Sequence, residues 1–293
     1  MEGAKERLIH IHSCRGVGWK TIQRFVRFDS TLQSIYSMGI AELMKTFKMK
    51  TENAQYFYED LHSYSIQFML SLYERKNIIP ITIVDESYPT LLKQIYDPPW
   101  VLYSMGDLQL LEHQLTIAVV GTRQPSSNGL HSMKKILTPL IGQGWTIISG
   151  LAIGIDTYAH KLALVGQGRT IAVLGSGFFH IYPKQNQSLA AHLSREHLLL
   201  SEYPPHQKPQ RWQFPVRNRI ISGLSLGTLI VEAKEKSGSL ITADQALEQG
   251  REVFAMPGSV LEERSMGTNR LIQQGAKLVM TDTDIVNELI PEK

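Results

Sequence analysis

Gly223-Leu-Ser-Leu-Gly-Thr-Leu-Ile-Val-Glu-Ala-Lys234, then Ser237-Gly-Ser-Leu-Ile-Thr242, then Arg251-Glu-Val-Phe-Ala-Met-Pro-Gly258 carry the folding pattern of this chain in short form. The apolar run Leu226 to Val231 predicts a strand. A Ser/Gly turn follows, a helix is predicted from Ser239, and a second short strand from Glu252 to Ala255. Strand, small-residue loop, helix and strand make a βαβ unit whose loop can hold an anion. Arginines lie just upstream, in Phe214-Pro-Val-Arg-Asn-Arg219.

The same alternation runs outward from this stretch. Short β-branched runs predict strands at Ile117–Val120, Thr146–Ile148, Thr170–Leu174, Leu198–Leu200 and Lys277–Val279. Helices are predicted between them, at Ser127–Gln143, Asp156–Val165, Asn186–Ser194, Asn218–Ser222, Ser239–Gln249 and Thr268–Gln274. Continuous apolar strands bounded by glycine turns imply a sheet covered on both faces. The fold class is therefore α/β, an extended Rossmann-like, mostly parallel sheet with helices on both faces. Right-handed crossovers then collect all strand-to-helix loops along one edge, where ligands bind in such sheets.

Residues 1–75 read as a small helical domain, with apolar side chains at helical spacing in Ile22, Phe25, Val26 and in Tyr64, Phe68, Leu72. Between its first helices sits Arg15-Gly-Val-Gly-Trp-Lys20. Gly-x-Gly there fits a helix-hairpin-helix or SAM-like turn offering N–H groups to a phosphate, and fits equally a plain tight turn. Residues 76–110, with a strand at Ile78–Val84 and the Pro- and aromatic-rich run Tyr88 to Tyr103, form a connecting segment expected to pack on the second domain. That domain spans residues 111–293.

A chain of 293 residues with 43% hydrophobic and 19% charged residues is an ordinary globular protein. A net charge of +3 is too small to argue for nucleic acid, so the distribution of charge must decide. The single cysteine, Cys14, excludes an internal disulfide and a Cys-rich metal site, and fits a reducing cytoplasm. No apolar run is long enough for a membrane span, and the N-terminus lacks the apolar core of a signal peptide.

Five successive loops on the expected edge carry Gly or Ser beside a helix start: Gly121-Thr122-Arg123, Ser149-Gly150, Gly175-Ser176 leading to Lys184 and Asn186, Ser201-Glu202, and Ser237-Gly238-Ser239. Arg123, Lys184, Arg217 and Arg219 bring positive charge to the same edge. Glycine lets backbone approach a phosphate, and helix N-termini and guanidinium groups stabilise it. The combination points to a nucleotide or polyanion.

Enzymatic templates fit poorly. A Walker loop is absent. Gly175-x-Gly177-x-x-His180 lacks the third glycine of a dinucleotide fingerprint and follows the wrong strand. Gly223-x-Ser225-x-Gly227 matches a nucleophile elbow in letters, but its strand comes after the serine. No His-Glu-x-x-His or other metal spacing occurs. Asp156 reads as a helix cap, and Glu202 and Glu232 as partners that hold Arg217 or Arg219. No catalytic residue, metal or cofactor is expected.

Taken in order, Gly121-Thr-Arg-Gln-Pro-Ser126, Ser149-Gly-Leu-Ala-Ile-Gly-Ile-Asp-Thr-Tyr-Ala-His160, Ala172-Val-Leu-Gly-Ser-Gly177, Tyr182-Pro-Lys-Gln-Asn186, Ser201-Glu-Tyr-Pro-Pro205, Phe214-Pro-Val-Arg-Asn-Arg-Ile-Ile-Ser-Gly-Leu-Ser225, Ser237-Gly-Ser-Leu-Ile-Thr242 and Phe254-Ala-Met-Pro-Gly258 closely resemble the DNA-processing protein A (DprA, also called Smf) family of bacterial natural transformation. The resemblance covers residues 78–282, and the N-terminal helices resemble the SAM-like domain that many members carry. It implies a non-enzymatic, cytoplasmic homodimer that binds and protects incoming single-stranded DNA, helps displace single-strand-binding protein and loads the RecA recombinase. It also implies a DNA pocket built on Arg123 and Lys184. Arg217, Asn218 and Arg219 join that pocket by their position on the same edge, and backbone N–H groups of the Gly/Ser loops add to it. Pairing through the last strand–helix region would use Leu271, Ile272 and Leu278, with burial in their own domain an equal alternative. Phe178, Phe179 or Tyr182 would stack a base, at least one phenylalanine belonging to the core.

The alternative is an enzyme. Gly227-Thr228 and Glu232 resemble the motif of the lysine-decarboxylase-like, or LOG, phosphoribohydrolases, which cleave nucleoside monophosphates. The glutamate here falls one residue late, which turns it to the other face of a strand.

Overall fold

The computed structural model describes residues 2–290. Nine strands form one sheet: β1 (Ile79–Thr82), β2 (Val101–Gly106), β3 (Thr116–Val120), β4 (Thr146–Ser149), β5 (Arg169–Leu174), β6 (Leu198–Ser201), β7 (Gly227–Ile230), β8 (Glu252–Ala255) and β9 (Lys277–Leu278). Their order is β1-β2-β6-β5-β4-β3-β7-β8-β9. From β6 to β9 every pairing is parallel, whereas β2 pairs antiparallel with β6 and with β1. Residues 76–110 thus contribute two strands to the sheet. The second, β2, is not apparent from the sequence, because Pro98-Pro99-Trp100 before it reads as an irregular run.

The helices are α1 (Glu2–Ser13), α2 (Trp19–Phe28), α3 (Ile40–Phe47), α4 (Thr51–Ser63), α5 (Ile66–Arg75), α6 (Thr90–Lys93), α7 (Ser127–Gly142), α8 (Ile155–Val165), α9 (Gln187–Glu196), α10 (Gln213–Gly223), α11 (Gly238–Glu248), α12 (Glu263–Gln273) and α13 (Thr283–Leu289). No helix among the described residues is long and apolar enough to cross a membrane.

Alternation along each strand assigns the cores. Ile117 and Val119 of β3 pack with Met133, Ile136 and Leu140 of α7 and with Ala159 of α8. Ala118 and Val120 face the opposite layer, with Ile220 and Ile221 of α10 and Ala243 and Ala246 of α11. The N-terminal helices share a core with the other end of the sheet. Phe25, Phe47, Phe57 and Leu61 belong to one apolar cluster with Val101 and Tyr103 of β2, Leu174 of β5 and Leu193 of α9.

The parallel strands turn back at the boundary between β3 and β7. β3 leads through α7 to β4 on one side, and β7 leads through α11 to β8 on the other. Such a switch point opens a crevice at the C-terminal ends of the strands. The loops that begin at Gly121 and Val231 line it.

Candidate nucleic-acid interface

The turn after β3 is fastened on both sides. Thr122 N donates to Glu232 O across the switch point (2.7 Å), and Ile155 N donates to Thr122 O (3.2 Å). Gly154 has φ +88, and a Cβ there would strike the backbone of Thr122 and Arg123. Glycine at this position therefore lets the turn after β4 lie directly against the arginine turn. Arg123 follows Thr122 in this turn. It is exposed and makes no ion pair among the described residues.

The loop after β4 is organised from inside. Ser149 Oγ donates to Val119 O (2.6 Å), so this hydroxyl serves the sheet. Asp156 does not cap α8, since Gly154 holds the N-cap position. It lies in the first turn, and its carboxylate accepts from Gly150 N (3.1 Å) and Ala152 N (3.3 Å). Burial pushes the Asp156 carboxyl up, while Arg217 and these two N–H groups pull it down.

Arg217 is buried. Its Nη1 donates to Gly150 O and Val173 O, and its Nε donates to Asn218 Oδ1 (3.2 Å). The guanidinium bridges the ends of β4 and β5 as a strut. Arg219 is buried too. Its Nη2 donates to both Glu202 oxygens (2.5 and 2.7 Å), and its Nε lies 3.3 Å from Asp97 Oδ2. The expected Glu202–arginine pairing is thus present, with Arg219. Both arginines turn inward because α10 begins at Gln213, five residues before the helix start expected from sequence. In that longer helix Arg217 shares a face with Ile220 and Ile221.

Glu232 pairs with no arginine among the described residues. Its carboxylate accepts from Ser126 N (2.9 Å) and Ser126 Oγ (2.5 Å) at the start of α7. The side chain on which the phosphoribohydrolase alternative rests is therefore already engaged.

After β5, Ser176 is buried and its Oγ donates to His180 O (2.8 Å). Gly175 packs under the Phe214 ring. Asn186 is a buried clamp, its Nδ2 donating to Leu151 O (2.8 Å) and Thr157 Oγ1 (2.7 Å). Two residues before it, Lys184 is exposed without a partner among the described residues. Asn186 thereby holds the lysine loop against one side of the loop after β4, and Gly154 holds Arg123 against the other. Phe178 is core, whereas Phe179 and Tyr182 are exposed, Tyr182 tilted against Phe214 at 5.4 Å between ring centres.

The start of α11 completes the edge. Ser237 Oγ accepts from Ser239 N (3.3 Å) and lies 2.8 Å from Ser239 Oγ. Gly238 is open on its Cβ side, and its carbonyl accepts from Asn218 Nδ2 (3.4 Å). Lys208 and Arg211, exposed on the loop after β6, are further cations of this edge. Of the proposed pairing residues, Leu271 is buried and Ile272 half-buried in the core beside α11. Leu278 is exposed on the edge strand β9.

The sequence model for DNA recombination-mediator protein A matches residues 80–290. The chain belongs to this family. A DNA processing protein DprA of Bacillus subtilis is 51% identical over 225 residues, covering 77% of this chain and 75% of the relative. The crystal structure of DNA processing protein A from Streptococcus pneumoniae superposes with a TM-score of 0.84 at 38% identity, covering 97% of each chain. The family fold thus extends through the N-terminal helices. The Helicobacter pylori member, solved for its single-stranded DNA binding mode, superposes with a TM-score of 0.66 at 30% identity. It covers 73% of this chain and 95% of that one.

Proposed function

We propose that this protein is a recombination mediator that binds single-stranded DNA along the C-terminal edge of its sheet. The observation that carries this reading is the separation of cations at that edge. Arg123 and Lys184 are exposed and unpartnered among the described residues, on loops braced by Gly154 and Asn186. Such side chains can neutralise phosphates without first breaking an ion pair. The Gly238 N–H at the open start of α11, between Ser237 and Ser239 whose own N–H groups are engaged within the protein, adds a hydrogen bond. Phe179 and Tyr182 supply faces for sequence-tolerant stacking. Arg217 and Arg219 act from beneath by fixing the loops.

On this reading the protein acts in the cytoplasm, without catalysis or cofactor, as a homodimer that protects the strand, displaces single-strand-binding protein and hands the strand to RecA. Pairing through the β9 edge, with Leu278 in the contact, would place two grooves on one particle and raise avidity without new contacts.

The test is a salt titration of oligo-dT binding. Two phosphates neutralised per protomer predict a slope of log K against log salt of roughly −1.4. Arg123→Ala and Lys184→Ala should each weaken binding and flatten the slope. Unchanged affinity and slope in both variants would remove the groove. Release of free base from nucleoside monophosphates at enzymatic rates would favour the phosphoribohydrolase instead.

A further inference from the structure

The Gly-x-Gly turn between α1 and α2 is engaged within the N-terminal helices. Gly16 has φ +77 and lies directly against Asn53 O, where a Cβ would clash. Arg15 is tied to Asp60 through its backbone N–H (2.7 Å) and through its guanidinium (Nη2 at 2.7 Å). The turn works as a joint, and the cations that follow it stand open.

From Trp19, where α2 starts, to Lys48, the C-cap of α3, the chain holds five Lys and Arg against two acids. This stretch carries a net charge of +3, equal to that of the whole chain. Lys20, Arg24 and Arg27 are spaced i, i+4 and i+7, so they form one stripe rising about 10 Å along α2. The opposite face, with Ile22 and Phe25, is buried. Arg24 Nη1 donates to Phe47 O (2.8 Å), which joins the stripe to the end of α3 beside Lys48. Lys45 is exposed one turn before it. None of the five forms an ion pair among the described residues. Of the two acids, Asp29 is occupied by the N–H and hydroxyl groups of Thr31 and Ser34. Glu42 lies at the other end of α3, in its first turn.

An aromatic ring stands among these cations. Phe28, next to Arg27, is 54% exposed, and its ring is held against the buried Phe47 at 5.4 Å between centres, with the rings near perpendicular. Rings that stack bases beside cations that take phosphates are the composition of a single-strand surface. The apolar anchor of a peptide seats in a pocket, whereas a ring standing out from the surface suits a flat base.

We propose that the α2–α3 face of the N-terminal helices is a second contact for nucleic acid. It takes phosphates on Lys20, Arg24, Arg27, Lys45 and Lys48 and stacks one base on Phe28. It goes beyond the strand-binding reading above and uses none of the side chains assigned to the groove. In the wild type it adds to the salt dependence that the groove alone gives.

The experiment measures oligo-dT binding to the full chain across a salt series. The groove is first disabled with Arg123→Ala and Lys184→Ala together, so that the remaining binding reads the second contact. Adding Arg27→Gln, Lys45→Gln and Lys48→Gln, which spares Arg24 and its bond to Phe47 O, should weaken that binding. The slope of log K against log salt should become shallower by roughly 2, for three phosphates at about 0.7 each. Phe28→Ala, at an exposed position, should weaken it about tenfold, the scale of one base–aromatic stack, and leave the slope and the affinity for an abasic strand unchanged. No remaining binding, or remaining binding untouched by the three Gln substitutions, overturns the second contact and leaves the groove standing. Full wild-type affinity without the groove cations, lost on adding the three, overturns the groove and leaves the second contact. Oligo-dT binding that survives the three substitutions while binding to a poly-glutamate peptide is lost assigns this face to an acidic protein and overturns the proposal.

Discussion

Arg123 and Arg217 serve one sheet edge from opposite sides of its surface. Arg123 rides on the turn after β3, exposed and without an ion pair among the described residues. Arg217 lies below the turn after β4, bonded to carbonyls of Gly150 and Val173. Arg219 repeats the second pattern with Glu202 and Asp97. The difference teaches that positive charge near a sheet edge divides into charge left exposed and charge that holds the loops. Burial and existing partners tell the two apart. A buried guanidinium already bonded to the protein reaches a phosphate less readily than an exposed one without an ion pair.

This division can be broken or sharpened by substitution. The largest effect should come from beneath. Arg219→Ala leaves Glu202 buried without its partner and should cost about 3–5 kcal/mol in denaturant unfolding. Burial already pushes the Glu202 carboxyl up, so the deficit should narrow at low pH as the lone carboxylate takes a proton.

His160 gives the next effect, again from the interior. Thr170 Oγ1 donates to Ile147 O, so it accepts from His160 Nδ1–H (2.7 Å). The other ring nitrogen is then bare in a fully buried site. Burial pushes this histidine down from 6.5 to about 3. The group stays neutral in the fold but protonates readily once unfolded. Its contribution is therefore complete above pH 6.5 and falls away as pH drops toward 3, by up to about 1.4 kcal/mol per pH unit. Unfolding of His160→Gln followed from pH 7 to 4 should show a correspondingly shallower slope than the wild type.

Glu232→Gln should cost about 1 kcal/mol, because it removes a charge from the start of α7. Thermal unfolding reads this shift. Arg123→Ala should be the smallest, under about 0.5 kcal/mol, as for surface positions without partners. The same variant should make the DNA salt slope shallower by roughly 0.7. A rim arginine that proved as costly to stability as Arg219 would erase the distinction.

Much of the framework could be read from residues alone. Strands β3 to β8 are short, apolar and bounded by small residues, and their covered faces follow from β-branched runs such as Thr116–Val120. Arg123 and Lys184 were legible as edge cations because each sits within a turn or two of a strand end. The orientation of Arg217 and Arg219 was not. It depends on where α10 starts, and Phe214-Pro215 looks like a break, although proline is tolerated in a first helical turn. β2 was hidden because an antiparallel addition is set by pairing with β6, which local periodicity does not encode. The partner of Glu232 was equally invisible, since Ser126 is 106 residues away in sequence.

That glutamate has a wider consequence. In dinucleotide-binding members of this architecture, the helix after the first central strand presents its positive end to a pyrophosphate at the crevice. Here the corresponding end, at Ser126, already receives an anion from within the chain. The protein places its own side chain in the nucleotide seat. A free nucleotide competing for that seat would have to displace a tethered carboxylate, whereas a long polymer can bind across the rim without entering it. One side chain placed across the switch point thus occupies the helix end that dinucleotide-binding members of this architecture leave open.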